Sequence, residues 1–211
     1  MAARQALQME GERTDARTRL LEAASIMLTS RDTLDFSLAE LAKLAGLNHG
    51  LVQYYFGGKE GLLLALLRRD ASTALDSLRK LVALEMSPLA KIELHIGGIV
   101  RTYFRRPYIN SLINLLQGSN AAMAAELADF FVKPLHELQK QMLDEAKAAG
   151  EICDVDPMFF YFSTIGACDH IFKSRRILPF AFGVDQIDAT LITAYSNYLA
   201  TWILKGLRPG A

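Results

Sequence analysis

Cysteine is scarce in this chain: two among 211 residues, Cys153 and Cys168. Their spacing matches neither a CxxC pair nor a disulfide-dense scaffold, and it suits a reducing compartment in which both act as small buried hydrophobes. An excess of either charge is missing as well. Twenty-three Lys and Arg balance twenty-three Asp and Glu, which excludes a disordered polyelectrolyte and a basic nucleic-acid coat protein. Long hydrophobic runs are absent too. The longest nearly apolar stretch, Met158 to Cys168, is broken by Ser163 and Thr164 and is too short to span a bilayer. Met1 to Arg13 is polar with mixed charge and lacks the apolar segment of a secretory leader. Together these absences imply a cytoplasmic protein with no membrane partner. What is present is 51% hydrophobic residues, ample for the core of one large domain or two small ones.

Six prolines and fourteen glycines leave long stretches unpunctuated, and within them apolar residues recur at three- and four-residue spacing instead of alternating. The pattern predicts an all-α chain of about nine helices. The first is expected over 14–29, with Leu20, Ala24, Met27 and Leu28 on one face and Arg17, Arg19 and Glu22 turned away. A second starts at Ser37, where Ser37 and Glu40 fit a capping box, and ends at Gly46 in a left-handed conformation. Asn48 caps a third, which carries Val52 and Phe56 inward and stops at Gly57-Gly58. A long fourth helix is expected from Lys59 to Met86, then helices over 89–105, 108–117, 121–149, 157–173 and 185–206. Pro134 should kink or divide the helix that contains it, and Leu178, Pro179 and Gly183 should lie in a loop.

The stretch from Ser37 to Lys59 carries the strongest functional signal. Two short helices with a small residue at the crossing (Ala42), a glycine in the turn (Gly46) and an apolar anchor (Val52) are what a helix-turn-helix requires. The outward face of the second helix then presents Asn48 and His49 at its start, followed by Gly50, Leu51, Gln53, Tyr54 and Tyr55. In a major groove Gln53 offers an amide able to read adenine, Leu51 meets a thymine methyl, and Gly50 admits close backbone approach. Ser37, Tyr54, Tyr55 and Lys59 are placed to clamp phosphates, aided by backbone donors at the start of the fourth helix. His49 has a plainer alternative as a solvated surface residue.

These segments, Leu20 to Ala24, Phe36 to Leu47, Gly50 to Phe56 and Lys59 to Leu63, resemble the N-terminal domain of TetR-family transcriptional regulators. The resemblance implies an N-terminal tail and three-helix helix-turn-helix DNA-binding domain over 1–58. It implies a larger helical effector-binding and dimerisation domain over 59–211, with homodimerisation through the last two long helices. It fades after Arg69. Two departures bear on specificity: Asn48-His49 stands where the family often has Ser or Thr followed by Lys or Arg, and Gln53 stands where an aromatic is frequent. The operator preference therefore does not carry over. Residues 1–70 hold nine Lys/Arg and nine Asp/Glu, which predicts modest nonspecific affinity and a shallow salt dependence.

The second informative segment is 157–173, where Phe159, Phe160, Phe162, Ile165, Cys168, Ile171 and Phe172 leave almost no polar face. Such a helix must be covered on both sides. One side is expected to face the domain interior and the other a second subunit, together with Ile187, Leu191, Tyr195, Tyr198 and Trp202 of the last helix. A monomer with a central buried helix is the alternative. Asp169 on this helix must be paired, hydrogen-bonded or facing a cavity. It is a candidate to orient an effector beside Ile165, or else a salt-bridge partner of Arg175 or Arg176. Helical spacing adds His95, Ile99 and Tyr103 from one helix and Phe130, Phe131 and Leu138 from another as pocket candidates, with plain core as the other reading. A pocket so lined suits a small effector, largely apolar or aromatic.

No enzyme is expected. Gly57-Gly58-Lys59 lacks the first glycine of a phosphate loop and has Glu60 where a magnesium-binding hydroxyl is needed, and no GxSxG, GxGxxG or HExxH occurs. Neither a cofactor nor a metal is called for. The expected function is a ligand-responsive regulator, a repressor most often in the family, that binds a pseudo-palindromic operator as a dimer and is released by its effector. An all-helical small-molecule-binding protein without DNA binding is the alternative.

Overall fold

A computed structural model describes residues 2–31 and 33–210, with side chains from Asp15 onward except that of Asp32. Among the described residues the chain is all-α. The character assigned above to the side chains of Met1 to Arg13 lies outside the described ones. Helix α1 (Ala2–Ser30) begins well before the expected residue 14. Residues 2–10 include many strong helix formers, and the isolated Gly11 is not enough to stop them. Leu20, Leu21, Ala24, Met27 and Leu28 form its buried face.

Helix α2 (Leu38–Ala45) has the expected capping box in full: the Ser37 Oγ accepts from Glu40 N–H, and the Glu40 carboxylate accepts from Ser37 N–H. The backbone hydrogen bond from Ser37 leads the causes that lower the Glu40 pKa. Gly46 ends α2 with φ +65°, the left-handed region where a Cβ is costly. The Arg19 guanidinium, which the pattern turned toward solvent, instead reaches across to the Ala45 carbonyl at 2.6 Å and satisfies a C-terminal acceptor of α2. Helix α3 (Gly50–Phe56) opens with the Asn48 Oδ1 accepting from Gly50 N–H at 2.8 Å and ends at Gly57, also left-handed.

Helix α4 (Lys59–Val82) joins two regions: Leu62, Leu63, Leu66 and Leu67 are buried at its first half, Leu75, Leu78 and Val82 at its second. At 1.5 Å per residue it spans about 36 Å. It stops short of the expected Met86 because the chain must turn ahead of Ser87-Pro88, where helical geometry is disfavoured. The buried Lys91 closes this end, donating to the Val82 carbonyl at 2.7 Å and to Glu145 at 3.2 Å.

The remaining helices are α5 (Pro88–Arg105), α6 (Ile109–Ser119), α7 (Ala121–Leu127), α8 (Lys133–Ala148), α9 (Pro157–Lys173), α10 (Leu178–Phe182) and α11 (Ala189–Leu207). The count exceeds nine for two reasons. Pro134 divides the expected 121–149 helix through a π-helical turn, Ala128–Val132, and the expected loop at Leu178 forms the short α10, ended by left-handed Gly183. Helix α5 lies at the centre of the C-terminal part, in contact with α4, α8, α9 and α11. One hydrophobic core runs from Leu20 to Leu207. No helix among the described residues is long and apolar enough to cross a membrane.

Candidate nucleic-acid interface and ligand core

Val52 is fully buried and pins α3 against the core, while Leu41, Ala42 and Ala45 seat α2. That leaves Asn48, His49, Gly50, Gln53 and Tyr54 exposed on one surface of the head, the part built from α1–α3 that precedes the helical body, with Tyr54 at 62%. Leu51 and Tyr55 are half-buried against the core, so only part of each faces outward. The Tyr54 and Tyr55 rings meet edge to face at 5.0 Å.

Two of the expected phosphate clamps are already engaged within the fold. Ser37 is exposed, but its hydroxyl accepts from Glu40 N–H and donates to the Glu40 carboxylate at 3.3 Å. The Lys59 ammonium donates to the Phe36 carbonyl at 3.0 Å, lies 3.5 Å from Asp35 and sits 4.4 Å over the Phe36 ring. Lys59 thus ties the α1–α2 connection to the start of α4.

Gly61 is a structural requirement of the turn between α3 and α4. A Cβ built there falls 1.8 Å from the Phe56 carbonyl oxygen, so α4 approaches the end of α3 more closely than any side chain allows. The available signal was a glycine inside an otherwise regular helix.

The eight pocket candidates fare differently. His95, Ile99, Tyr103 and Asp169 are buried, and Phe130, Phe131, Leu138 and Ile165 are half-buried against the core. None of the eight lines either of the two cavities described below. Phe130 and Phe131 lie in the π turn and pack, with Leu138 one segment on, against the core. Arg68 covers the Phe130 ring at 4.5 Å and pairs with Glu126. Asp169 pairs with Lys173 at 2.5 Å, one turn along its own helix, instead of with Arg175 or Arg176.

What the structure does place in this core is a set of buried polar groups. The Gln139 amide donates to His95 Nε2 at 2.9 Å, and burial lowers the His95 pKa to about 4, so the ring is neutral. Tyr103 donates to Asn110 Oδ1 at 3.2 Å, and burial pushes its phenol pKa up. Gln139 Oε1 and Thr164 Oγ1 are buried without a hydrogen-bond partner. Gln139 and Thr164 escaped the sequence reading because a polar residue's burial depends on neighbours far along the chain.

A second polar cluster joins the head to the body. Tyr108 at the start of α6 donates to Asp70 Oδ2 of α4 at 2.6 Å, and Ser25 Oγ of α1 lies 2.8 Å from the same phenol oxygen. Asp70 is buried, with Arg69 at 2.9 Å and Arg106 at 3.6 Å from its other oxygen.

Along the opposite flank, α9 and α11 leave an apolar face open. Phe159 (62% exposed), Phe162 (65%), Tyr198 (65%) and Trp202 (61%) stand on it. Between them is an open cavity of about 520 Å³, lined by Phe160, Thr164 and Ile203 among others.

Comparison with known proteins agrees with this architecture. Residues 20–66 match the family model "Bacterial regulatory proteins, tetR family", and residues 85–210 match "Tetracyclin repressor-like, C-terminal domain". The HTH-type transcriptional regulator BetI of Rhizobium meliloti is 32% identical over 89 residues, covering 42% of this chain and 42% of that protein. BetI of Escherichia coli is 30% identical over 128 residues, covering 60% of this chain and 59% of its own. The chain thus matches about half the length of these curated relatives. In fold it is similar to FadR of Bacillus subtilis, solved in complex with stearoyl-CoA, with a TM-score of 0.71 at 16% identity over 90% of this chain and 99% of that one. The two matched models span the helix-turn-helix and the helical body alike, and the chain belongs to the TetR family of bacterial regulatory proteins.

Proposed function

We propose that this protein is a ligand-responsive transcriptional repressor that binds a pseudo-palindromic operator as a homodimer and leaves it when a small effector binds. The observation that carries this reading is the exposed face of α3, held by buried Val52 and backed by a fourth helix whose far end is buried in the body. The DNA-binding unit is residues 1–58, and 59–211 form the effector and dimer unit. Asn48, His49, Gly50, Leu51 and Gln53 meet base edges, and Tyr54 and Tyr55 meet phosphates. Ser37 and Lys59 contribute phosphate contacts while holding the turns that orient α3.

The exposed aromatic face of α9 and α11 supports a two-fold pairing in which each protomer's side chains enter the other's open cavity. The effector is a largely apolar or aromatic molecule that opens the core around His95, Gln139 and Tyr103. The unpartnered Gln139 Oε1 offers it an acceptor. The stearoyl-CoA held by the Bacillus FadR supports an elongated apolar effector of this general kind. We assign the protein to the cytoplasm, where the operator is, and to no catalytic role.

Selection of duplexes from a random pool with purified protein tests the reading. An enriched inverted repeat is the expected result, with half-sites about one helical turn apart. Absence of enrichment at low salt favours instead an effector-binding protein without an operator, a reading to which the balanced charge of residues 1–70 lends support. In the selected sequence, Gln53→Ala relaxes discrimination at one or two base pairs, whereas Lys59→Ala weakens all sequences alike.

A further inference from the structure

The two buried polar atoms without a hydrogen-bond partner, Gln139 Oε1 and Thr164 Oγ1, belong to residues no more than 1% exposed. Threonines elsewhere in these helices place their hydroxyls on the carbonyl four residues back, as Thr73, Thr102 and Thr193 do; Thr164 does not. The Gln139 amide meets the His95 ring with one end only, so whichever way it is turned its other end is unanswered. Both groups lie against the first half of α5. Gln139 reaches it at His95, and Thr164 stands one turn before Cys168, whose thiol is 3.9 Å from the Ile96 carbonyl. Helix α9 runs in the same direction as α5, since Phe172, one turn beyond Cys168, meets the Tyr103 ring.

Thr164 has a second neighbourhood. It lines the open cavity of about 520 Å³ between α9 and α11, where Val155, Phe160, Trp202, Ile203 and Leu207 form an apolar wall and the exposed Lys205 stands at the edge. At ~30 Å³ per water the cavity holds about seventeen waters, within the range of small-molecule sites. Neither unpartnered atom belongs to the wall of the smaller cavity, about 280 Å³, where α1, α6 and the end of α9 converge.

We propose that the α9–α11 cavity and these two atoms form one ligand site, and that its ligand is an apolar molecule ending in one uncharged group able both to donate and to accept, an alcohol or a primary amide. That group meets Thr164 and Gln139, and the apolar body lies along Phe160, Trp202 and Ile203. A group with both capacities answers the Gln139 amide in either orientation and the Thr164 hydroxyl as donor or acceptor. An ionised head does not suit this depth. His95 is neutral and Asp169 on the same helix as Thr164 is already paired with Lys173, so a charge brought here is buried without a counter-ion. The inference rests on the effector reading above and gives the inner end of that effector its chemistry. In the proposed pairing the second copy closes the mouth of the cavity over the bound molecule.

Fluorescence titration of the full-length protein without DNA tests the site, because Trp202 is the only tryptophan in the chain and lines the cavity. The probes are 1-octanol and octanoate, which share an apolar body and differ in the charge of the head. Wild type is compared with T164V, which keeps the shape and removes the hydroxyl, and with Q139L; thermal melts establish that each folds. Saturable binding of octanol is expected, with octanoate at least tenfold weaker. Each folded variant should weaken octanol about tenfold and leave octanoate unchanged. If Q139L does not fold, T164V decides alone. No saturable response to octanol overturns the proposal, and so does octanoate binding as tightly as octanol, which would place a carboxylate at the Lys205 edge. Octanol binding that survives T164V overturns the assigned site while leaving an effector-binding body. A protein that binds octanol as expected but selects no duplex refutes the operator reading and leaves this site standing.

Discussion

Replacing Tyr108 by Phe removes one oxygen and little volume, and it isolates the contact that joins α1, α4 and α6. The phenol is 4% exposed and donates to Asp70 Oδ2 at 2.6 Å, with Ser25 Oγ at 2.8 Å. Burial and the hydrogen bond to Asp70 both push the Tyr108 pKa up, so it stays protonated and donating. A hydrogen bond to a charged group contributes ~1.5–3 kcal/mol. Breaking a buried ion pair costs more, ~3–5 kcal/mol, but Arg69 and Arg106 still hold the other oxygen of Asp70 in the variant. The smaller range therefore applies, and Y108F should lose about 2 kcal/mol. For a chain of this size that corresponds to roughly 4–8 °C in Tm. Urea unfolding at matched protein concentration measures it, since self-association makes stability concentration-dependent. A loss below about 0.5 kcal/mol would refute the reasoning, because it would mean that water replaces the phenol at no cost.

G61A should destabilise the head by more than about 2 kcal/mol and abolish operator binding, since the new methyl meets the Phe56 carbonyl; a near-normal melt would contradict the close approach of α3 and α4. His95 has a folded pKa of about 4, below its unfolded value of about 6.5. The unfolded chain therefore binds the proton first, and wild-type stability is lost as pH falls from 6.5 to 4. H95Q should flatten the curve in that window by up to about 1.4 kcal/mol per pH unit, and parallel curves would sink the assignment. F162E should convert the proposed dimer to monomer in sedimentation without unfolding it, because Phe162 is 65% exposed in the single chain; a persistent dimer would move the interface elsewhere.

The head was the most legible part of the sequence because its signals are local. A capping box closes over three residues, a left-handed glycine marks its own turn, and Val52 is placed by its distance from Gly46. Arg19 and Gly61 are the opposite case. One reaches a carbonyl on another helix and the other yields to a neighbouring backbone, and neither relation is written in adjacent residues. In the body the helices were recoverable, but which face met which neighbour was not. Helical spacing drew His95, Ile99 and Tyr103 onto one buried stripe, and Phe130, Phe131 and Leu138 pack against the same core across a change of winding that periodicity does not foresee. Asp70 and Tyr108 are thirty-eight residues apart, beyond the reach of any periodicity.

The wide turn at Ala128–Val132 has a consequence for how this region tolerates change in length. An α-helix advances about 100° per residue, and a π turn holds one residue more than an α turn. Leu127 before the turn and Leu135, Met142 and Leu143 after it are all buried, so both sides of the turn share one inward orientation because the wider winding absorbs that additional residue. Deleting any one residue from 128–132 would let the segment wind as ordinary helix and leave Leu127, seven residues from Leu135, on the same inward face. A further inserted residue has no second wide turn to absorb it and would rotate the whole of α7 by about 100°.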